Sequence, residues 1–260
     1  MSTSPSRKLP KKLPRRRTRR PRHPSPSSPN PPRTADPVTE PSLSSQRPKA
    51  PPRRTGQRLL SFDRRIGARY VVGADEAGRG SLAGPLLVAG VLLDYEILRG
   101  SKARRLGLLN DSKQLTGGQR EELFRAVVAC AERISVQAFS ASRIDRDGLH
   151  VCNLRGLRAV LDDLVPPGEV CLVDGFRLGP AAQEHTAVVD GDERSAAVAA
   201  ASIVAKVVRD RLMRRMDSLF PAYGFSSHVG YITPEHSARV RLHGPSDVHR
   251  RSFQALCYVV

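Results

Sequence analysis

Hydrophobic positions are sparse in the first 58 residues and fall into distinct blocks afterwards. Two short continuous apolar runs rich in β-branched residues, 70–74 and 85–93, predict buried central strands joined by a connection that could make a hairpin. Residues 134–139 predict a third strand, 170–173 a fourth and 186–189 a short last one. Between them, Leu149, Cys152, Leu157, Val160, Leu161 and Leu164 recur at helical spacing until Pro166-Pro167-Gly168 stops the pattern, which predicts an amphipathic helix on the core. Thr116 with Gln119 three residues on forms a capping-box pattern, opening a helix toward Cys130. Asp192 is the expected cap of a long alanine-rich helix through Asp210, whose small side chains let it lie close to a sheet.

The first strand ends in adjacent acids, Asp75 and Glu76, followed by Gly78-Arg79-Gly80. In α/β sheets the C-terminal strand edge is where ligands bind. Successive strand residues face opposite ways, so both acids serve one ligand only if the chain turns or the ligand sits off the strand end. Gly78 and Gly80 supply the turn, glycine lets backbone N–H groups approach a sugar or anion, and Arg79 adds fixed positive charge. The run 170–173 repeats the theme with Asp174-Gly175, and a strand laid beside the first would bring a third carboxylate to the same edge. Ser202, Lys206 and Asp210, spaced by four, drift about 80° in total and share one helix face.

Charge is as uneven as hydropathy. Residues 1–58 hold 14 of the 21 prolines and 16 Lys plus Arg against 2 acids, so +14 of the net +18 lies there and the rest of the chain carries only +4. The pI near 10.9 therefore describes a tail, not the folded body. Such a Pro-, Arg- and Ser-rich stretch lacks the apolar residues needed to offset ordering entropy and is expected to be disordered. It is a polybasic arm holding nucleic acid nonspecifically, a solvated extension, or residues preceding the true translation start. Its prolines oppose the amphipathic helix of a transit peptide, and neither a secretory hydrophobic region nor a membrane-length apolar run occurs. The four cysteines show no Cys-x-x-Cys spacing, consistent with buried free thiols in a reducing compartment. His228, His236, His243 and His249, spaced 8, 7 and 6 apart, fit no zinc-finger pattern and are expected to be hydrogen-bonded or substrate-facing.

The string Asp75-Glu76-Ala77-Gly78-Arg79-Gly80, with Gly84-Pro85 and a second apolar run behind it, resembles the signature of bacterial ribonuclease HII. Further blocks follow in that family's order: Asp111-Ser112-Lys113, residues 199–210, and His228-Val229-Gly230-Tyr231 through His249-Arg250-Arg251-Ser252-Phe253. The resemblance implies an α/β fold of ribonuclease H type, a five-stranded mixed sheet flanked by helices, with a catalytic domain over 59–260 that ends in a small helical segment from about 218. It implies endonucleolytic cleavage of RNA in RNA–DNA hybrids and at ribonucleotides embedded in duplex DNA, leaving 5′-phosphate, with a role in ribonucleotide removal, replication and repair. A cytoplasmic monomer without membrane association is expected.

By the same resemblance Asp75, Glu76, Asp174 and Asp210 are the catalytic acids. Four clustered carboxylates cannot all stay ionised without cations, and hard oxygen ligands favour Mg²⁺ or Mn²⁺ over zinc. Two such ions, about 3.5 to 4 Å apart, would activate a water and stabilise the leaving oxygen. The family's pattern assigns reading of the 2′-hydroxyl to Gly78, Arg79 and Gly80, backbone contacts to Lys113, Ser202 and Lys206, and packing on the nucleic acid to Tyr231. Val229 departs from the lysine most relatives carry, which removes a phosphate contact. Rival readings are ribonuclease HIII or another metal nuclease of the fold, and a catalytically dead basic nucleic-acid-binding protein. HIII relatives usually carry a different tripeptide and a folded N-terminal domain that the proline-rich tail cannot be, and the presence of all four acids opposes a dead site.

Overall fold

The computed structural model describes residues 55–109, 115–165, 169–180 and 182–258. The expected disorder of the tail through residue 54, and Lys113, lie outside the described residues.

The first helix, α1 (Thr55–Ile66), starts inside the stretch assigned to the tail, so residues 55–58 are helical and not part of a disordered arm. The reason is packing that composition hides: Gly56 is buried so closely on the Leu106 carbonyl that a Cβ there would overlap it, and Leu59 and Leu60 are buried behind it. Strand β1 (Tyr70–Ala77) pairs antiparallel with β2 (Leu86–Asp94), from Tyr70↔Asp94 to Ala77↔Leu87. A short helix α2 (Gly100–Arg105) leads to α3 (Gly117–Cys130), where Thr116 and Gln119 form the expected capping box. Then follow β3 (Arg133–Phe139), α4 (Ala141–Asp147), α5 (Leu149–Leu164), β4 (Val170–Asp174), β5 (Thr186–Val188), α6 (Ala196–Leu219), α7 (Phe225–His228) and α8 (Pro234–His243).

The five strands form one mixed sheet in the order β3-β2-β1-β4-β5, with β4 parallel to both β1 and β5. Strand alternation sends Val71, Val91 and Leu93 to one face, against α1, α3 and α6, and Val72, Val88 and Leu92 to the other, against α5. Covering both faces explains why β1 and β2 are continuous apolar runs. Gly73 is the contact point with α6, where any Cβ would collide with the Ala197–Val198 peptide. The cap of α6 is Ser195, whose hydroxyl accepts from Val198 N at 3.3 Å, not Asp192. Asp192 lies in a 3₁₀ turn (Gly191–Glu193) because Gly191 N donates to Asp174 at 2.7 Å, pinning the chain there and delaying the helix. Asp63 of α1 is buried against the same helix start, accepting from Ala197 N at 2.9 Å and Tyr95 Oη at 2.6 Å. A third apolar cluster, including Leu82, Met213, Phe225 and Val240, joins α6 to the small helical C-terminal segment.

Candidate active site

Parallel pairing of Ala74 with Val173 brings the ends of β1 and β4 side by side, so Asp75, Glu76 and Asp174 meet at one edge. They line a cleft of about 190 Å³ whose other walls include Gly78, Arg79, Ser202, Lys206 and Tyr231. Asp75 Oδ1 accepts from Glu76 N at 2.7 Å and its carboxyl is also hydrogen-bonded by the Ser202 side chain. Burial, and then the charges of Glu76 and Asp174, hold Asp75 well above the usual carboxylate range. Burial also pushes Glu76 up to about 7, against the pull of Arg79, whose Nη1 lies 3.4 Å from Oε1, and with the push of Asp174. Glu76 Oε2 is buried with no hydrogen-bond partner. Asn153 of α5, fully buried, lies near enough to favour the ionised form of Glu76, though its amide makes no hydrogen bond of regular geometry. Asp174 is anchored by the Gly191 N–H.

The helix-face expectation holds for Ser202, Lys206 and Asp210, but they are engaged with protein groups. Ser202 serves Asp75, and Lys206 Nζ lies 2.7 Å from Asp210 Oδ1. Asp210 also faces Arg120 at 3.8 Å and stands apart from the cleft's lining, so the structure gathers three of the four acids and leaves the fourth one turn away in an ion-paired state. Among the described residues no three His, Cys, Asp or Glu side chains are already closed into a metal cage. Tyr231 forms a cleft wall, its ring centroid 4.9 Å from Lys206 Nζ and 5.3 Å from the Arg209 guanidinium. Gly78 has φ +90°, and a Cβ there would strike Arg209, so both conformation and space require glycine. Arg79 stacks over Phe176 at 4.8 Å, and Gly80 is exposed at the loop's tip.

Three C-terminal histidines are buried hydrogen-bonding groups. His228 Nε2 bonds the Tyr223 carbonyl, His236 Nδ1 the Tyr231 carbonyl, and the Nε2 atoms of His236 and His249 are 3.1 Å apart. All four cysteines are buried free thiols. Sequence reasoning missed Asn153, Arg120, Arg209 and Arg250. Arg209 sits in Arg209-Asp210-Arg211, which on sequence alone is a solvated ion-pair cluster, and its only advance signal was its place on the face of an alanine-rich helix.

The donor set is all oxygen, it is crowded with negative charge, and one buried oxygen is unpartnered; a divalent cation fits these residues. An acidic cleft of this kind at the C-terminal edge of such a sheet defines a nuclease of the ribonuclease H class. Residues 72–256 match the ribonuclease HII family, and the chain belongs to it. It is 45% identical to ribonuclease HII of Rhizobium johnstonii over 76% of this chain and 84% of that one, and 45% identical to that of Salinispora tropica over 78% and 76%. Among solved structures, the PCNA complex of ribonuclease HII from Archaeoglobus fulgidus aligns with a TM-score of 0.58 at 30% identity, covering 70% of this chain and 92% of that one. Ribonuclease H2 of Pyrococcus horikoshii aligns at 0.57 and 26%, covering 71% and 94%. The chain is thus a hydrolase, an endoribonuclease acting on RNA–DNA hybrids, in a divalent-metal-dependent family. Among the described residues no helix is long and apolar enough to cross a membrane.

Proposed function

We propose that this chain also incises duplex DNA at embedded ribonucleotides, leaving 5′-phosphate, with Asp75, Glu76, Asp174 and Asp210 holding Mg²⁺ or Mn²⁺. The observation that carries this reading is the convergence of three acids, Asp75 buried and Glu76 and Asp174 half-buried, on one cleft with Glu76 Oε2 unpartnered. Bound divalent cations would supply activation of the attacking water and charge stabilisation of the leaving oxygen. The protein's own part is positional. Ser202 orients Asp75, Gly191 N–H orients Asp174, and Asp75 and Glu76, biased toward protonation by burial, give up those protons to bind cations. Lys206 pairs with Asp210 at 2.7 Å; were Asp210 to take up a cation, that ammonium would become available to a phosphate oxygen. Gly78, Arg79 and Gly80 present backbone groups to the ribose, where a 2′-hydroxyl can both donate and accept, and Tyr231 packs on the neighbouring sugar. Lys113 completes the backbone contacts. In the cell this activity serves ribonucleotide removal during cytoplasmic DNA replication and repair.

Cleavage of a hybrid and of a single-ribonucleotide duplex, assayed in Mg²⁺ and in Mn²⁺, tests the assignment. Asp75→Asn should lower turnover by about 10³-fold, the scale of losing a transition-state electrostatic group, while hybrid binding persists. Near-normal turnover in that variant would overturn it.

A further inference from the structure

Behind the loop 78–85 lie two guanidinium groups at 0% exposure, Arg209 on α6 and Arg250 in the C-terminal segment. Neither forms an ion pair among the described residues; the acids that act on them, Asp210 and Asp145, do so from a distance. Their donors go to backbone carbonyls instead. Arg209 donates to Pro85 O at 3.0 Å, Ala83 O at 3.0 Å and Val229 O at 2.9 Å. Arg250 donates twice to Gly84 O, at 3.1 and 2.9 Å, and through Nη1 to Arg79 O at 3.0 Å. Burial and the neighbouring Arg209 charge push Arg250 down to about 9, which still leaves it charged at neutral pH.

The bond to Arg79 O has a directional consequence. No peptide in the described chain is cis, and in a trans peptide C=O and N–H point opposite ways. A 79–80 peptide whose carbonyl is drawn inward to Arg250 turns the Gly80 N–H the other way, outward at the exposed loop tip next to Arg79, which lines the cleft. That N–H has no acceptor among the described residues, Gly80 is exposed, and a Cβ there would meet nothing within 4 Å. We infer that Arg250 is a positioning residue for ribose selection: by holding the Arg79 carbonyl it fixes the Gly80 N–H as a donor to the 2′-oxygen, while Arg209 anchors the far end of the same loop. This rests on the reading that residues 78–80 face the sugar. Arginine is needed because its planar fork spans Gly84 O and Arg79 O together, whereas a lysine ammonium reaches one of them.

The test uses the full chain with Arg250→Met and Arg250→Lys. Discrimination is read as KI for an all-DNA duplex, used as competitor, divided by KM for the same duplex with one ribonucleotide. Arg250→Met should lower this ratio about tenfold, the worth of one hydrogen bond, by raising KM with KI unchanged, and Arg250→Lys should fall between it and the parent. A merely structural arginine would lower the melting temperature and move KM and KI together, which overturns the inference, as does an unchanged ratio in a folded variant. If Arg250→Met does not fold, Arg250→Lys decides alone, together with the Gly80 amide resonance of glycine-labelled protein titrated with each duplex. A Gly80 shift specific to the ribonucleotide in the parent and lost in Arg250→Lys supports the inference. The same shift in both proteins overturns the role of Arg250 alone, and no shift in the parent overturns the sugar-facing reading of the loop as well.

Discussion

Asp75, Glu76 and Asp174, which line the cleft, and Arg209 and Arg250, which hold the backbone of the loop 78–85, are both groups of like charges drawn out of water, yet they are treated oppositely. The acids are kept short of partners: Glu76 Oε2 has none, and burial, with the added push of Asp174, raises Glu76 to about 7 despite Arg79. Every guanidinium nitrogen of the two arginines is instead hydrogen-bonded, to the carbonyls of Arg79, Ala83, Gly84, Pro85 and Val229. A buried charge without partners is stable only if something binds it, so the deficit marks the ligand side. A buried charge satisfied by backbone makes no such demand and marks a frame. Removing a charge from each side should therefore change stability with opposite sign.

The largest effect is expected at the frame. Arg209→Met strands three buried carbonyls and should destabilise by about 3 kcal/mol, in the range for breaking a buried charged network. Asp75→Asn, in metal-free protein, removes one of the mutually repelling acids and should leave the melting temperature unchanged or higher. Thermal melts in EDTA compare them. A fall for Asp75→Asn as large as that for Arg209→Met would break the contrast.

A second, smaller difference is in pH. Glu76 has a folded-state pKa near 7 against 4.5, so between those values the folded state keeps a proton that the unfolded chain releases; this contribution to stability is full below pH 4.5 and is lost as pH rises through 7. Burial raises Asp63 as well and adds to that slope. His236 and His249, in the segment that carries Arg250, are pushed down by burial to about 4 from 6.5, so the unfolded chain takes up protons there first and stability is lost as pH falls from 6.5 to 4. In metal-free protein the slopes oppose each other between pH 4.5 and 6.5. Glu76→Gln should weaken the acid slope, which Asp75 and Asp63 still carry, and shift the balance toward lower melting as pH drops, whereas His249→Gln should weaken the histidine slope, which His236 still carries, and shift it the other way. Parallel pH profiles for both variants and the parent would refute the two-sided picture.

The acid side was legible because its signals are local. An apolar run ending in Asp75-Glu76, a second ending in Asp174, and a glycine within two residues after each are local in sequence, and the apolar runs alone placed the strands. Helix boundaries slipped where a distant contact decides them: Asp174 holding Gly191 moved the α6 cap to Ser195, and Leu106 receiving Gly56 started α1 before the basic composition ended. The arginine frame was illegible for the same reason carried further. Arginine defaults to the surface, and what buries Arg209 and Arg250 are carbonyls 124 and 171 positions away that carry no side-chain signature. The Lys206–Asp210 pair was half legible, since spacing gave the shared face but not that the two would neutralise each other.

The smallest effect expected comes from Val229, where the frame imposes strain. Val229 has φ 44° and ψ 35°, a left-handed conformation that a β-branched residue adopts at a cost of about 1–2 kcal/mol. It is held there from both ends, its N–H donating to Phe225 O at 2.9 Å and its carbonyl accepting from Arg209 at 2.9 Å. Asparagine tolerates this conformation and is close to valine in size, but it gives up some apolar contact with the cluster around Met213. Val229→Asn should therefore gain about 1 kcal/mol net, roughly 2–4 °C in melting temperature for a domain of this size. If the arginine side is a backbone-bonded frame, this relief leaves the ratio of KI for DNA to KM for the ribonucleotide duplex untouched, because the Arg209 and Arg250 bonds to the loop remain. Val229→Lys separates charge from strain: it should tighten KM at low salt, with the gain disappearing as salt rises, because the added ammonium acts on phosphate. A lower melting temperature for Val229→Asn would mean that the apolar contact of Val229 outweighs its strain, and a changed ratio would mean that the frame is not independent of the loop tip it supports.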